Sequence, residues 1–226
     1  RTTSAAPRLW TSPAASFPWL SSTAATARRS SGSPSRPRAT ATRGAASADG
    51  LRERPVAPKA EVVVSVPADQ SVREIKARID LAVLVVPAQA TLKVAEECGR
   101  KGVKGLVVIT AGFREIGGVG AERERRLQAI AKKYGMRVVG PNCMGVINTE
   151  PAFACNASFS ASLPPAGSVA MVSQSGALGE AILADAAQAG LGVAMFASVG
   201  NRSDVTATDL IAYWGADDQV KVVLLY

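Results

Sequence analysis

The 226-residue chain is 47% apolar, ample for a core, yet has no run of 18 or more apolar residues that would cross a membrane. It contains no histidine, which excludes Ser-His-Asp and Cys-His catalysis within these residues and removes the usual zinc ligands. The net charge of +8 invites a nucleic-acid reading, but residues 1–60 carry ten Lys/Arg against two Asp/Glu, while residues 61–226 carry sixteen of each. The basicity thus belongs to the N-terminal segment, and the remainder has no bias towards phosphate backbones. Cys98, Cys143 and Cys155 show no C-x-x-C spacing, which suits free thiols in a reducing, cytoplasmic setting.

Residues 1–60 are rich in Ala, Ser, Thr, Arg and Pro, and no helix or strand period persists in them, so disorder is the physical expectation. The acid-poor, Arg-rich composition fits an organelle transit peptide, which would make the protein organellar. Trp10, Phe17 and Trp19 lie in no amphipathic pattern, which fits better a segment never selected to fold, such as a wrong reading frame. The chain begins at Arg1 and stops within an apolar strand pattern, Val220–Tyr226. Both ends read as cuts.

From Glu61 the pattern changes. Val62–Val66 can form a strand, and Ser71–Arg78 a short helix or loop. Leu81–Val86 is a continuous apolar run closed by Pro87, as in a strand covered on both faces. A helical pattern over 90–100 stops at Gly99 and Gly102. Gly105–Ile109 is the next strand and runs into Thr110-Ala111-Gly112-Phe113. Glu122–Tyr134 is an amphipathic helix with Leu127, Ile130, Ala131 and Tyr134 on one face. Its charged residues, Glu124 among them, read as a solvated face. Arg137–Val139 enters the turn G-P-N-C-M-G (140–145).

Phe153–Gly167 has no regular period and reads as a linker, which divides the chain into a first unit over 61–150 and a second over 151–226. The second opens with V-A-M-V-S-Q-S-G-A-L-G (169–179), a buried strand turning through Ser and Gly into a helix. The free N–H groups and positive dipole end of such a helix favour an anion, usually phosphate. A simple Ser cap accounts for the local pattern equally well. Val193–Ser198 is another strand, Thr206-x-x-Asp209 resembles a capping box, and a final strand closes the chain. Strands alternating with helices imply parallel sheets covered on both faces, an α/β fold. Ligands of such sheets bind beyond the carboxyl ends of the strands, where every polar turn named here falls. An esterase-type reading of Ser173 or Ser175 fails, because the turn is V-S-Q-S-G rather than G-x-S-x-G and no histidine is present.

Six segments in order resemble the NDP-forming (ADP-forming) acyl-CoA synthetases, relatives of the succinyl-CoA ligase alpha subunit: A-V-L-V-V-P-A (82–88), G-V-K-G-L-V-V-I-T-A-G-F-R-E-I-G (102–117), V-V-G-P-N-C-M-G-V-I-N-T (138–149), N-A-S-F (156–159), S-Q-S-G-A-L-G (173–179) and S-V-G-N-R-S-D-V (198–205). The resemblance implies a Rossmann-like CoA-binding domain, incomplete at its N-terminal side, followed by the start of a flavodoxin-like succinyl-CoA ligase domain. Val86, Pro87, Ile109 and Thr110 would border CoA, with Asn142 and Cys143 near its thiol end. The family reaction passes phosphate through a phosphohistidine, with an acyl phosphate as intermediate. Ser173, Ser175 and Gly176 would form a phosphate-receiving helix N-terminus, and Asn201 belongs to a further active-site turn. Implied partners are a small carboxylic acid or acyl-CoA and an ATP-grasp unit that handles ATP/ADP with Mg. The full-length protein would be an oligomer, and neither membrane, nucleic acid nor a metal site within this chain is expected. The family's Gly-rich phosphate loop is not recognisable in residues 1–70, and the catalytic histidine is missing, so the chain alone is not expected to complete the reaction. A CoA-binding regulatory module fused to an acetyltransferase domain is the alternative.

Overall fold

In the computed structural model, residues 24–28, 54–57, 62–63, 66–151 and 153–226 are described, with the backbone alone described for 24–28, 62–63 and 66. The first sheet is assembled from β1 (Ala24–Arg28), β2 (Arg54–Val56), β5 (Leu81–Val85), β6 (Gly105–Val108) and β7 (Arg137–Val139), in the order β2-β1-β5-β6-β7 and parallel throughout. A small antiparallel pair, β3 (Val62–Val63) and β4 (Val66–Pro67), lies outside both main sheets. The strand order reverses between β1 and β5, and such a switch point opens a crevice at the carboxyl ends.

The second sheet has the order β12-β10-β11-β8-β9. Its members are β8 (Gly145–Asn148), β9 (Cys155–Ser158), β10 (Ala166–Ser173), β11 (Val193–Ser198) and β12 (Val222–Leu225). The strands β12, β10 and β11 run parallel, while β8 joins β11 antiparallel and β9 joins β8 antiparallel. Among the described residues four α-helices cover the sheets: α1 (Ala88–Lys101), α2 (Gly118–Tyr134), α3 (Gly176–Ala189) and α4 (Ala207–Trp214).

The period-2 alternation of the strands sorts the core into layers. Ala82 and Leu84 of β5 pack with Leu106, Leu127 and Ala131 under α1 and α2. Leu81 and Val83 turn to the opposite face and share a cluster with Val146, Ala170, Ala197, Leu210 and Trp214. That one cluster draws on both sheets, so they are joined by continuous apolar packing. Beyond the second sheet, Ile147, Met171 and Phe196 pack against Leu183 and Ala186 of α3.

The expected α/β class and the strands after 80 appear in place, and the Thr206–Asp209 capping box forms in full. Ser71–Arg78 is turn and loop. Two expectations need correction. Residues 24–28 and 54–56, within the segment read as unstructured, are strands of the first sheet; most of the rest of 1–60, and the stretch that would carry a Gly-rich loop after β1, lie outside the described residues. Part of the supposed linker is strand β9, Cys155–Ser158, whose apolar–polar alternation lasts only four residues. Strand β8 pairs in the second sheet, so the chain crosses from one sheet to the other over Gly140–Met144.

Helices α1 and α2 meet at a glycine: a Cβ on Gly99 would lie 2.3 Å from the Tyr134 ring. That ring is tethered by Tyr134 Oη donating to Glu96 at 2.6 Å. Gly99→Ala therefore forces overpacking of about 1–3 kcal/mol. The expected outcome is a lower urea midpoint with an unchanged m-value.

Candidate functional site

The carboxyl ends of β5, β6 and β7 are stitched together by short polar contacts. Thr110 Oγ1 donates to Val86 O at 2.6 Å, and the Asn142 N–H donates to Thr110 O at 3.0 Å. Pro87 and Asn142 are exposed, and Val86, Ile109 and Thr110 are half-buried, so these five residues form one rim. Cys143 does not join them. Its side chain is buried, its thiol donates to Val108 O at 3.3 Å, and burial pushes the thiol pKa up to about 12. Adjacency to Asn142 in sequence thus leaves the Cys143 sulfur in the core.

On the second sheet, β10 ends in the turn singled out above. Ser173 is buried, and its hydroxyl donates to Ser175 O at 2.7 Å. Ser175 is the N-cap of α3, where its Oγ accepts the Leu178 N–H at 3.3 Å. The hydroxyl proton of Ser175 stays available to a further acceptor, and the N–H groups of Gly176 and Ala177 have no intrahelical partner. Gly176 sits close to the crossing segment: a Cβ there would touch Met144 Cβ at 3.4 Å. Met144 N–H is itself bound by Ser198 Oγ at 3.1 Å. The crossing therefore runs from the first rim, at Asn142, to the start of α3.

The turn after β11 locks the two units. Gly200 has φ +49°, and a Cβ there would lie 2.3 Å from Asn142 O, so only glycine admits this approach. The Asn201 N–H donates to Pro141 O at 2.9 Å, and the Ser203 N–H to Gly140 O at 3.0 Å. Asp204 Oδ2 accepts from the Val138 N–H at 2.7 Å and from Arg137 Nε at 3.0 Å.

Asn201, 8% exposed, sends its Nδ2 to Glu115 Oε2 at 2.6 Å and to Glu124 Oε2 at 2.9 Å. Its Oδ1 lies 3.5 Å from Asn142 Nδ2. Glu124 is the residue that its charge misplaces, since it lies three residues before Leu127 and seven before Ala131 on the buried face of α2. It belongs to the charged run of α2, yet it is 3% exposed, held by the Arg114 N–H at 3.2 Å and the Arg114 guanidinium at 3.5 Å. Arg114 Nη2 also donates to Asn201 O. Burial works to raise the Glu115 pKa, but hydrogen bonds from Asn201, Gly112 and Phe113 outweigh it and hold the carboxyl below its ordinary value. Among the described residues no group of three or more His, Cys, Asp or Glu side chains is placed to hold a metal ion.

Residues 30–149, more than half the chain, match the family described as CoA binding domain, and residues 166–226 match the succinyl-CoA ligase like flavodoxin domain. The acetate–CoA ligase [ADP-forming] of Methanocaldococcus jannaschii is 44% identical over 172 residues, 76% of this chain and 24% of that protein. The chain belongs to the ADP-forming acyl-CoA synthetase family. The alpha subunit of acetate–CoA ligase [ADP-forming] II of Pyrococcus furiosus is 44% identical over 76% of this chain and 37% of that subunit. The dinucleotide forming acetyl-coenzyme A synthetase 1 of Ca. Korarchaeum cryptofilum, solved in complex with phosphate and ADP, aligns with a TM-score of 0.71 at 35% identity over 78% of this chain and 37% of that one. This synthetase-family chain thus spans about a quarter to two-fifths of the length of these relatives. It has the two expected domains, Rossmann-like and then flavodoxin-like, and among the described residues no helix is long and apolar enough to cross a membrane.

Replacing Asn201 by Ala leaves the buried Glu124 carboxylate short of a donor, a cost of about 1–3 kcal/mol. The pH dependence has a definite sign. A carboxyl held below its ordinary value of 4.5 adds stability that is complete above that pH and is lost as pH falls through the lowered folded-state value. Chemical denaturation from pH 7 to pH 3 should show Asn201→Ala less stable at neutral pH and losing less on acidification than the parent chain.

Proposed function

We propose that this chain forms the CoA-binding and phosphate-receiving part of an acid–CoA ligase of the ADP-forming type. The observation that carries the reading is the crossing Gly140–Met144, which sets Asn142 on the rim of the first sheet and Met144 against Gly176 at the start of α3. The rim fits a slender, polar-backboned ligand such as the pantetheine arm of CoA. It offers exposed Pro87 and the Asn142 amide, with Val86, Ile109 and Thr110 as its half-buried floor. CoA would supply the thiol that attacks an activated acyl group.

The N-terminus of α3 would receive the phosphoryl group of a phosphohistidine through the N–H groups of Gly176 and Ala177 and the Ser175 hydroxyl. Such preoriented donors stabilise developing phosphoryl charge. Ser173 supports the turn instead of touching the phosphate, since its hydroxyl is buried and engaged. With no histidine in the chain, the phosphate carrier comes from another segment or subunit, and nucleotide with Mg is handled by an ATP-grasp partner. The acid substrate is a small carboxylic acid, as the acetate–CoA ligase names of the relatives suggest. The working protein is an oligomer, placed in the cytoplasm.

The complete protein, given ATP, CoA and acetate, should form acetyl-CoA, ADP and phosphate, read by coupled assay. No acyl-CoA from any small acid would overturn the ligase assignment and favour a regulatory CoA-binding role. The 226-residue chain by itself should form no acyl-CoA and bind CoA weakly or not at all in calorimetry.

A further inference from the structure

A chain of hydrogen-bonded amides takes its direction from whichever end can only accept or only donate. Here that end is a pair of carboxylates. Ionised Glu115 and Glu124 can only accept, and both lie within bonding distance of one nitrogen, Asn201 Nδ2, at 2.6 and 2.9 Å. Turning this carboxamide over would set Oδ1 against two carboxylate oxygens, one on a side chain 4% exposed. Acceptors facing one another away from water are costly. Asn201 Oδ1 therefore points the other way, to Asn142 Nδ2 at 3.5 Å, the long limit of such a bond. Since that oxygen accepts, Asn142 turns its nitrogen inward and its own Oδ1 outward. Asn142 is exposed, and its left-handed backbone, φ +57°, is pinned by its N–H to Thr110 O. The outward oxygen thus has a fixed mount on the rim.

We propose that Glu115 and Glu124, acting through Asn201 as positioning residues, make Asn142 present a hydrogen-bond acceptor at the rim, so that the group recognised there is a donor, an N–H or S–H of a pantetheine arm, and not an anion. The proposal rests on the CoA reading above and deepens it: phosphate is left to the start of α3, and the Asn201 turn serves the CoA side of the site. Without the two carboxylates, either asparagine can rotate and offer a donor instead, and the site loses its preference.

The test uses the complete ligase and calorimetric binding of CoA, of desulfo-CoA, and of an analogue whose cysteamine amide N–H is replaced by an ester oxygen. The parent enzyme is expected to bind the ester analogue about threefold to tenfold more weakly than CoA, the loss of one hydrogen bond. Asn142→Gly, which keeps the left-handed backbone without strain, should bind the two alike. The double variant Glu115→Ala/Glu124→Ala should lose the discrimination too, whereas Glu124→Ala alone, which leaves the acceptor-only Glu115 on Asn201 Nδ2, should keep it. Discrimination against desulfo-CoA instead, lost in the same variants, assigns the donor to the thiol and equally supports the proposal. Should the double variant fail to fold, the exposed Asn142→Gly variant decides alone. A parent enzyme indifferent to both analogues, an Asn142→Gly variant that discriminates as the parent does, or one that loses inorganic phosphate rather than CoA, overturns the proposal. A parent enzyme that does not bind CoA at all overturns the CoA reading itself.

Discussion

The side-chain amide of Asn201 is the contact on which the meeting of the two units depends. It is a neutral group held by two carboxylates from the far unit, with Arg114 closing round it on Glu124 and on its own carbonyl. A buried carboxylate is tolerable only with donors in place, so Glu124 needs Asn201 as much as Asn201 needs Glu124. Nonpolar packing alone would hold the sheets together through Leu81, Val146 and Trp214. Directional bonds add what that packing lacks, a single register of one rim against the other.

What the chain reveals before folding follows from what is local. Leu81–Val85, Gly105–Val108 and Val193–Ser198 are legible because strands buried on both faces need an unbroken apolar run. The Thr206–Asp209 box is legible because cap and partner lie three residues apart. Glu124 is illegible for the opposite reason. Its neighbours Arg123, Arg125 and Arg126 announce a wet face, and its donors come from Arg114, ten residues back, and from Asn201, 77 residues away. Strand β9 escapes notice because Cys155-Asn156-Ala157-Ser158 owes its extended form to pairing with β8, not to its own composition. The rim residues Val86, Thr110 and Asn142 are found together by sequence position at strand ends, whereas the inward turn of Cys143 depends on the conformation of the Gly140–Gly145 turn.

The two readings of V-S-Q-S-G, the observed helix cap and the proposed anion site, do not exclude one another. Ser175 caps α3 with its oxygen lone pair and keeps a proton to give, while Ser173 spends its hydroxyl on the turn itself. Two serines two residues apart thus have different duties: one shapes the loop, and the other stands at its mouth.

The crossing Gly140–Met144 has a kinematic consequence. Five residues join the last strand of one sheet to the first of the next, a tether of about 20 Å at full stretch. In the folded chain it is shortened further by the bonds that Gly140 and Pro141 accept from Ser203 and Asn201. Neither rim can withdraw from the other without tearing that seam. Under the proposed function the two fixed rims would act as a stationary dock, and the travelling part would be whatever carries the phosphate to it.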